Sequence, residues 1–215
     1  MTNKKQSIPT YIIPVLVILA FTIIGFSFYT INMLDPGGKP GPIKGILSFG
    51  KADIGGKFNV KDMHSNEFTE ANLKGKITLI YFGFASCPDI CPATLQTISH
   101  ALAELPQEDL DRLQVLFVSV DPERDDMSQL KNFVSAFHPK ILGLTGSKEQ
   151  IQQMSKIYKV YYNKIEPKKD EDQDTYVIDH SSIIYMLDRN GQYLKHFSSK
   201  ATFEEIAQEV GKELQ

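Results

Sequence analysis

The segment Ile77-Thr78-Leu79-Ile80-Tyr81-Phe82-Gly83-Phe84-Ala85-Ser86-Cys87-Pro88-Asp89-Ile90-Cys91-Pro92 joins an uncharged run to the only two cysteines of the chain. Its first six residues are apolar or β-branched, which predicts a central strand buried on both faces. Proline favours the first helical position, so the strand is expected to pass through a turn into a helix near Cys91. Such a junction, at the carboxyl end of a central strand, is where α/β folds place their functional sites.

Hydrophobic spacing on both sides of this segment predicts alternating strands and helices. The predicted elements are a hairpin of residues 58–60 and 67–69, helix 93–105, strand 113–120, helix 127–137, strand 142–144, helix 148–158, a strand or lead-in at 160–162, a hairpin of 182–187 and 192–197 turning at Asn190-Gly191, and a helix from the capping Thr202 to Leu214. This order is typical of an α/β thioredoxin-like domain with an added N-terminal β-hairpin.

The N-terminal region has the composition of a membrane anchor. No charged residue occurs between Gln6 and Leu34, and a helical run of this length spans a hydrocarbon core of about 30 Å. A cleaved secretory signal is the alternative, but its apolar region is shorter and ends at a small-residue site. We therefore predict one transmembrane helix within residues 1–34, a Pro- and Gly-rich linker over 35–50, and a folded domain over 51–215.

Charge indicates which side of the membrane the domain occupies. Lys4 and Lys5 precede the apolar run, so the N-terminus is expected in the cytoplasm and the domain outside it. No Arg- and Ser-rich transit peptide precedes the run, which favours a bacterial inner membrane and a periplasmic domain over the mitochondrial intermembrane space. Without Lys4 and Lys5 the chain has 21 basic and 26 acidic residues, a formal charge of −5. This mildly acidic balance argues against nucleic acid as a partner.

The two cysteines are close enough in the sequence to act together, either in one disulfide or on one metal ion. An exported domain of this size does not need a disulfide scaffold, so a lone close pair indicates redox or metal chemistry, with a small structural disulfide as the alternative. Three residues separate Cys87 from Cys91, which allows a disulfide and also leaves room for a metal ion. The helix N-terminus is expected to lower the pKa of the Cys91 thiol.

A metal held by two thiolates needs a further ligand, and imidazole suits the Cu(I) or zinc that thiolates favour. The chain has five histidines: His64, His100, His138, His180 and His196. His180 is favoured because it is expected to open the strand beginning at Ser181, next to the charged loop 166–175. The residues alone nevertheless leave the choice among the five histidines open. Asp121 follows a buried strand at the same sheet edge, where it supports the site, docks a partner or belongs to a helix-capping turn.

Three motifs carry a resemblance to a known family. Residues 83–92, the stretch Ser119-Val120-Asp121-Pro122-Glu123-Arg124-Asp125, and Asp179-His180-Ser181-Ser182 occur in the order found in the Sco/SenC family. The resemblance implies a membrane-anchored thioredoxin-like protein whose metal ligands are Cys87, Cys91 and His180. The chain departs from the family at Ala85-Ser86, where relatives often carry Thr-His, but this touches no ligand.

The resemblance also implies a function. Members are metallochaperones that assist assembly of the copper site of cytochrome c oxidase and turn over no small substrate. The expected metal is copper, as Cu(I) or as Cu(II) with an added ligand, although ligand type alone leaves zinc open. The expected partners are the copper-binding oxidase subunit and a copper donor or thiol reductant protein. The alternative is a thiol–disulfide oxidoreductase using Cys87 and Cys91; a peroxiredoxin-type peroxidase is disfavoured because Thr94 follows the cysteines instead of preceding them.

Overall fold

The computed structural model describes residues 19–24, 26–27, 53–165 and 176–215. The chain divides into two units, Met1–Phe49 and Gly50–Gln215. In the first unit, residues 19–24 and 26–27 are helical. Within the described ranges, no helix combines the length and the apolar character needed to cross a membrane. The rest of the predicted anchor and the linker over 35–50 lie outside the described residues.

The second unit is built around a seven-stranded mixed sheet. Its strands are β1 (Asn59–Asp62), β2 (Glu67–Thr69), β3 (Ile77–Gly83), β4 (Leu113–Ser119), β5 (Ile141–Thr145), β8 (Ile183–Leu187) and β9 (Tyr193–Ser198). Their order in the sheet is β2-β1-β5-β4-β3-β8-β9. All seven residues of the strand predicted to be central, β3, are buried, as expected from its uncharged sequence.

Strand directions place two chain segments at one edge of this sheet. Strands β3 and β4 run parallel, from the pair Ile77↔Leu113 to the pair Gly83↔Ser119, and β5 runs parallel to β4. Strand β8 is antiparallel to β3. The predicted N-terminal hairpin is present as β1 and β2. The carboxyl ends of β3 and β4 therefore lie side by side, and the segments that follow them share this edge.

A separate two-stranded sheet carries His180. Strands β6 (Tyr162–Ile165) and β7 (Val177–His180) are antiparallel, and Tyr162 pairs with His180. The expectation that His180 opens a strand beginning at Ser181 is wrong, because His180 is the last residue of β7 and the next strand begins at Ile183. The charged loop 166–175 lies outside the described residues.

Five α-helices accompany the sheets in the described part of the second unit: α1 (Ile90–Ala103), α2 (Gln107–Leu110), α3 (Met127–Val134), α4 (Lys148–Ile157) and α5 (Phe203–Leu214), with a 3-10 helix at Glu70–Leu73. Helix α1 begins three residues before the predicted residue 93. Pro92 is tolerated as its third residue because the first four N–H groups of a helix have no intrahelical acceptor. Thr202 and Glu205 form the predicted reciprocal cap of α5.

The last residue of β3 must be glycine because a sulfur atom lies against it. A Cβ atom built on Gly83 would lie 2.7 Å from the Cys91 Sγ atom and 2.8 Å from the Phe117 ring. Both neighbours are fully buried, so neither can move away at low cost. The missing side chain at Gly83 thus lets α1 approach the end of β3 closely enough to bury Cys91.

We expect the substitution Gly83→Ala to lower the free energy of unfolding by about 1–3 kcal/mol, the usual cost of overpacking a core. Gly211→Ala is the matched control, since a Cβ there meets no atom within 4 Å and alanine favours a helix interior by up to about 1 kcal/mol. Urea unfolding of both variants measures the difference. Wild-type stability for Gly83→Ala would contradict the close approach.

Candidate metal centre

The cysteines lie on the connection between β3 and α1. Cys87 is in the turn, where its N–H donates to the Phe84 carbonyl at 3.2 Å. Cys91 lies in the first turn of α1. Both are free thiols, and their exposed fractions are 8% for Cys87 and 0% for Cys91. The turn therefore brings both sulfurs to one place but leaves only the first of them near solvent.

His180 reaches the cysteines from the end of β7. Its Nε2 atom lies 3.3 Å from the Cys91 Sγ atom, and its Nδ1 atom lies 3.3 Å from the Ser181 carbonyl oxygen. The ring packs edge-on against Phe84, with centroids 5.7 Å apart. A proton on Nδ1 donates to the carbonyl and leaves the Nε2 lone pair facing the sulfur, which is the tautomer that binds a metal through Nε2.

These three side chains form a compact donor set. The sulfurs of Cys87 and Cys91 and the His180 nitrogen all lie within 4.8 Å of one another, and no other group of three His, Cys, Asp or Glu side chains in the described ranges is arranged to hold a metal. Metal–sulfur bonds of about 2.3 Å place the ligands of a trigonal site about 4 Å apart. The donor set therefore fits a soft metal ion after small movements of the side chains.

A cavity of about 310 Å³ gives access to this donor set. Cys87 and His180 line it together with Phe84, Pro88, Asp89, Ile90, Val177, Ile178, Asp179 and Ser182. The lining combines apolar and polar side chains, and Cys91 is not part of it. A ligand entering through the cavity therefore meets Cys87 and His180 before it meets Cys91.

Burial dominates the electrostatics of the donor set. Burial raises the pKa of the Cys91 thiol to about 12, although the Phe84 backbone and the Tyr81 hydroxyl oppose the shift. The expectation that the helix N-terminus lowers the pKa of Cys91 is thus wrong for the metal-free protein, because desolvation of the thiolate outweighs the helix dipole. Burial also lowers the pKa of His180, which keeps the imidazole neutral and able to bind a metal at neutral pH.

Asp121 is buried in a cluster that reaches the His180 strand. One carboxylate oxygen accepts from Arg124 Nε at 2.5 Å, and the other accepts from the Tyr176 hydroxyl at 2.6 Å. The Arg124 guanidinium also donates to the Tyr176 carbonyl at 2.8 Å and lies 3.6 Å from the centroid of the Tyr176 ring. Because Tyr176 directly precedes β7, the cluster fixes the start of the strand that ends at His180.

Asp125 makes the corresponding connection to the cysteine turn. Its Oδ2 atom accepts from the Ala85 N–H at 2.7 Å and from the Ser119 hydroxyl at 2.6 Å. The carboxyl is fully buried. Two aspartates of one short motif after β4 therefore hold the two halves of the donor set, Asp125 on the cysteine side and Asp121 on the histidine side.

The remaining histidines lie elsewhere. His64, His100 and His196 are exposed; His100 contacts the Phe203 ring, and His196 bonds to the Tyr193 hydroxyl. His138 lies near the Ser99 hydroxyl, which accepts from its backbone N–H. Sequence reasoning missed Tyr81, Arg124, Asp125 and Tyr176 as parts of the site. Arg124 and Asp125 stand in the motif that singled out Asp121, whereas the tyrosines had no distinguishing signal in the sequence.

Fold and site together define a class: a thioredoxin-like domain with two cysteines and one histidine arranged for a soft metal ion. The sequence model of the SCO1/SenC family matches residues 48–215, and the chain belongs to this family. The SCO2-like protein of Rickettsia prowazekii is 38% identical over 203 residues, which cover 94% of this chain and 96% of the relative. Mitochondrial SCO2 of Saccharomyces cerevisiae is 38% identical over 167 residues, 76% of this chain but only 55% of the relative.

Solved structures show the same fold. Bradyrhizobium japonicum ScoI with copper bound is 41% identical, with a TM-score of 0.67 over 74% of this chain and 99% of that one. Yeast Sco1 with copper bound is 38% identical, with the same TM-score of 0.67 over 74% of this chain and 87% of that one. The thioredoxin-like prediction and the family assignment are confirmed.

Burial of Asp125 predicts a pH dependence. Desolvation raises the pKa of its carboxyl, so its contribution to stability is full below the unfolded pKa of about 3.9 and is lost as the pH rises through the folded value. We expect Asp125→Asn to cost less stability at pH 7 than at pH 4, as measured by urea unfolding at both pH values.

Asp111→Asn is the control of opposite sign. Lys140 lowers the pKa of Asp111 through a 2.9 Å contact, so the stability that this carboxylate contributes is lost as the pH falls. The control variant should therefore lose more stability at pH 7 than at pH 4. A cost for Asp125→Asn that grows with pH would show that its carboxylate is stabilised as the anion.

Proposed function

We propose that this protein is a membrane-anchored metallochaperone that binds copper through Cys87, Cys91 and His180 and assists assembly of the copper site of cytochrome c oxidase. The observation that carries the proposal is the arrangement of these three donor atoms within 4.8 Å of one another. The copper-bound structures of ScoI and yeast Sco1, both more than 35% identical to this chain, support copper over zinc.

The donor set suits Cu(I) as cargo. Two thiolates and one neutral imidazole are soft ligands, which favours Cu(I) over Cu(II). Binding displaces one proton from each thiol, and the neutral His180 releases none. Delivery is then an exchange in which a thiolate of the recipient replaces one ligand at a time. Cys87 and His180 are the ligands at the cavity, so both are replaced before the enclosed Cys91.

The supporting residues have a role in this proposal. Asp121 is 3% exposed, so it acts by holding Tyr176 and β7 and not by presenting a carboxylate to a partner. Asp125 holds the cysteine turn through Ala85. Both residues would keep the thiolates and the imidazole at the spacing that copper requires, which lowers the cost of ordering the ligands when the metal binds.

The proposed partners and location follow from the family. The recipient would be the copper-binding subunit of the oxidase, and a copper donor or thiol reductant protein would act before it. An anchor within residues 1–34 would hold residues 51–215 on the outer side of a bacterial inner membrane, or in the intermembrane space of a mitochondrion. Mitochondrial relatives such as yeast SCO2 support this side of the membrane.

The first test is an anaerobic Cu(I) titration of the reduced full chain in detergent against a chromophoric Cu(I) chelator. We expect one equivalent to bind. In zinc-finger peptides, four ligands together provide a metal-binding free energy of about 10–16 kcal/mol, so one ligand contributes about 3 kcal/mol. Cys87→Ser, Cys91→Ser and His180→Ala should therefore each weaken Cu(I) binding by about 100-fold.

His196→Ala is the control for the loss of a histidine, because His196 is exposed and bonds to Tyr193. Its Cu(I) affinity should equal that of the wild type. An affinity of His180→Ala within threefold of the wild type would remove His180 from the site. Failure of the loaded protein to pass copper to the metal-free copper domain of an oxidase subunit would reject the assembly role while leaving copper binding intact.

One observation favours a second function, that of a thiol–disulfide oxidoreductase. Cys87 lines the cavity and Cys91 is fully buried, an asymmetry typical of an attacking thiol and a resolving thiol. In this chemistry a disulfide of the recipient accepts two electrons, the Cys87–Cys91 bond forms, and the two thiol protons pass to the recipient sulfurs. The metal-binding and redox roles exclude each other at any moment, since the disulfide has no thiolate to offer.

We expect iodoacetamide to modify Cys87 at least about tenfold faster than Cys91 in the native, metal-free protein, because only the Cys87 sulfur is reachable and burial suppresses the Cys91 thiolate. Mass spectrometry of timed reactions gives both rates. In denaturant the two rates should become similar, which controls for intrinsic reactivity. Equal rates in the native protein would contradict the assignment of Cys87 as the accessible sulfur.

A further inference from the structure

A buried tyrosine contacts the donor set without belonging to it. The Tyr81 hydroxyl lies 3.6 Å from the Cys91 Sγ atom and donates a hydrogen bond to it. The edge of the Tyr81 ring faces the His180 ring, with centroids 6.3 Å apart. When Cys91 is a thiolate its sulfur has no proton and can only accept, so the hydroxyl is the donor in the metal-bound state also.

Packing holds this hydroxyl in place. Tyr81 lies in the middle of the sheet on β3, is 0% exposed, and packs against Phe117 with ring centroids 6.1 Å apart. The Cys91 sulfur is confined by Gly83 on one side and by the His180 Nε2 atom at 3.3 Å on another. Neither partner can turn away without opening the core, so the hydrogen bond is a fixed property of the fold.

The hydrogen bond distinguishes the two sulfurs. Within the described residues, the Tyr81 hydroxyl bonds to Cys91, while Cys87 lies at the cavity. Hydrogen bonds to a cysteine sulfur withdraw electron density from it and tune the redox potential of copper–thiolate sites. They also stabilise a thiol or thiolate more than a disulfide sulfur, which is a poorer acceptor.

We propose that Tyr81 is a positioning residue that sets the electron donation of the Cys91 sulfur, and thereby favours Cu(I) over Cu(II) and the dithiol over the disulfide. The copper half of this inference rests on the proposed function, and the disulfide half does not. Tyr81 binds no metal in this scheme and acts only through Cys91. Its effect on the donor set therefore passes through the electron density of the Cys91 sulfur.

The test compares Tyr81→Phe with Tyr158→Phe in the full chain. Both tyrosines are 0% exposed, and the Tyr158 hydroxyl has no hydrogen-bond partner among the residues that the structure describes, so the second variant removes a buried hydroxyl without removing a hydrogen bond seen there. Phenylalanine keeps the ring in both variants. Loss of one ordinary hydrogen bond corresponds to about a fivefold change in an equilibrium constant.

The first readout needs no metal. The reduced protein is equilibrated with oxidised and reduced dithiothreitol, which takes up the two electrons and two protons released when the Cys87–Cys91 disulfide forms. We expect Tyr81→Phe to raise the equilibrium constant for disulfide formation about fivefold, and Tyr158→Phe to leave it unchanged. Equal constants for Tyr81→Phe and the wild type would overturn the proposal.

The second readout uses copper alone. We expect Tyr81→Phe to raise the ratio of Cu(II) to Cu(I) affinity about fivefold and to shift the thiolate-to-Cu(II) charge-transfer band to lower energy, because the sulfur becomes a better donor. An unchanged ratio and band in a protein that binds one copper would overturn the copper half. Absence of copper binding in the wild type would instead reject the proposed function, and the dithiothreitol result would still decide the role of Tyr81.

Discussion

The Cys91 sulfur lies against the backbone of Gly83, and this contact governs how helix α1 meets the central strand. A side chain at residue 83 would come within 2.7 Å of the sulfur, so the absence of one allows the first turn of the helix to be buried. Burial in turn places the sulfur beside Tyr81 and His180. It also reverses the influence expected of the helix N-terminus, since a desolvated thiol keeps its proton until a metal or a disulfide replaces it. The position of the Cys91 sulfur and the pKa of its thiol therefore both depend on this packing contact.

The donor set also requires that two segments far apart in the chain be held close together. The cysteine turn follows β3, whereas the histidine ends β7 in a different sheet, and among the described strands no pairing joins the two sheets. The motif after β4 connects the two segments. Asp125 accepts a hydrogen bond from the Ala85 N–H, and Asp121 accepts one from the Tyr176 hydroxyl. A buried carboxylate such as that of Asp121 is costly unless it is paired, which explains why Arg124 contacts both Asp121 and Tyr176.

The arrangement reconciles tight binding with release. Burial raises the pKa of the Cys91 thiol and lowers the pKa of His180, so these two side chains are uncharged in the metal-free site. Cys91 is enclosed, while Cys87 lines the cavity with His180. In the proposed function the metal would therefore remain held by the buried sulfur while a recipient displaces the outer one. The same asymmetry serves a disulfide exchange, which is why the two proposed chemistries share one structure.

The sequence by itself determined the buried strand predicted at 77–82, the order of most helices and strands, the N-terminal hairpin and the closeness of Cys87 and Cys91, because these depend on local periodicity and on short-range turns. Its position in the sequence favoured His180 among the five histidines. The family resemblance, and not the spacing, identified it as the expected metal ligand. Sequence reasoning misplaced His180 at the start of a strand and misjudged the pKa of Cys91, because β7 forms only by pairing with β6 and burial is a property of the packed core. The roles of Tyr81, Asp125, Arg124 and Tyr176 were decided by the tertiary structure alone. The contacts that connect them to the donor set or to β7 join residues 10 to 55 positions apart in the chain, and only folding brings such groups within hydrogen-bonding distance.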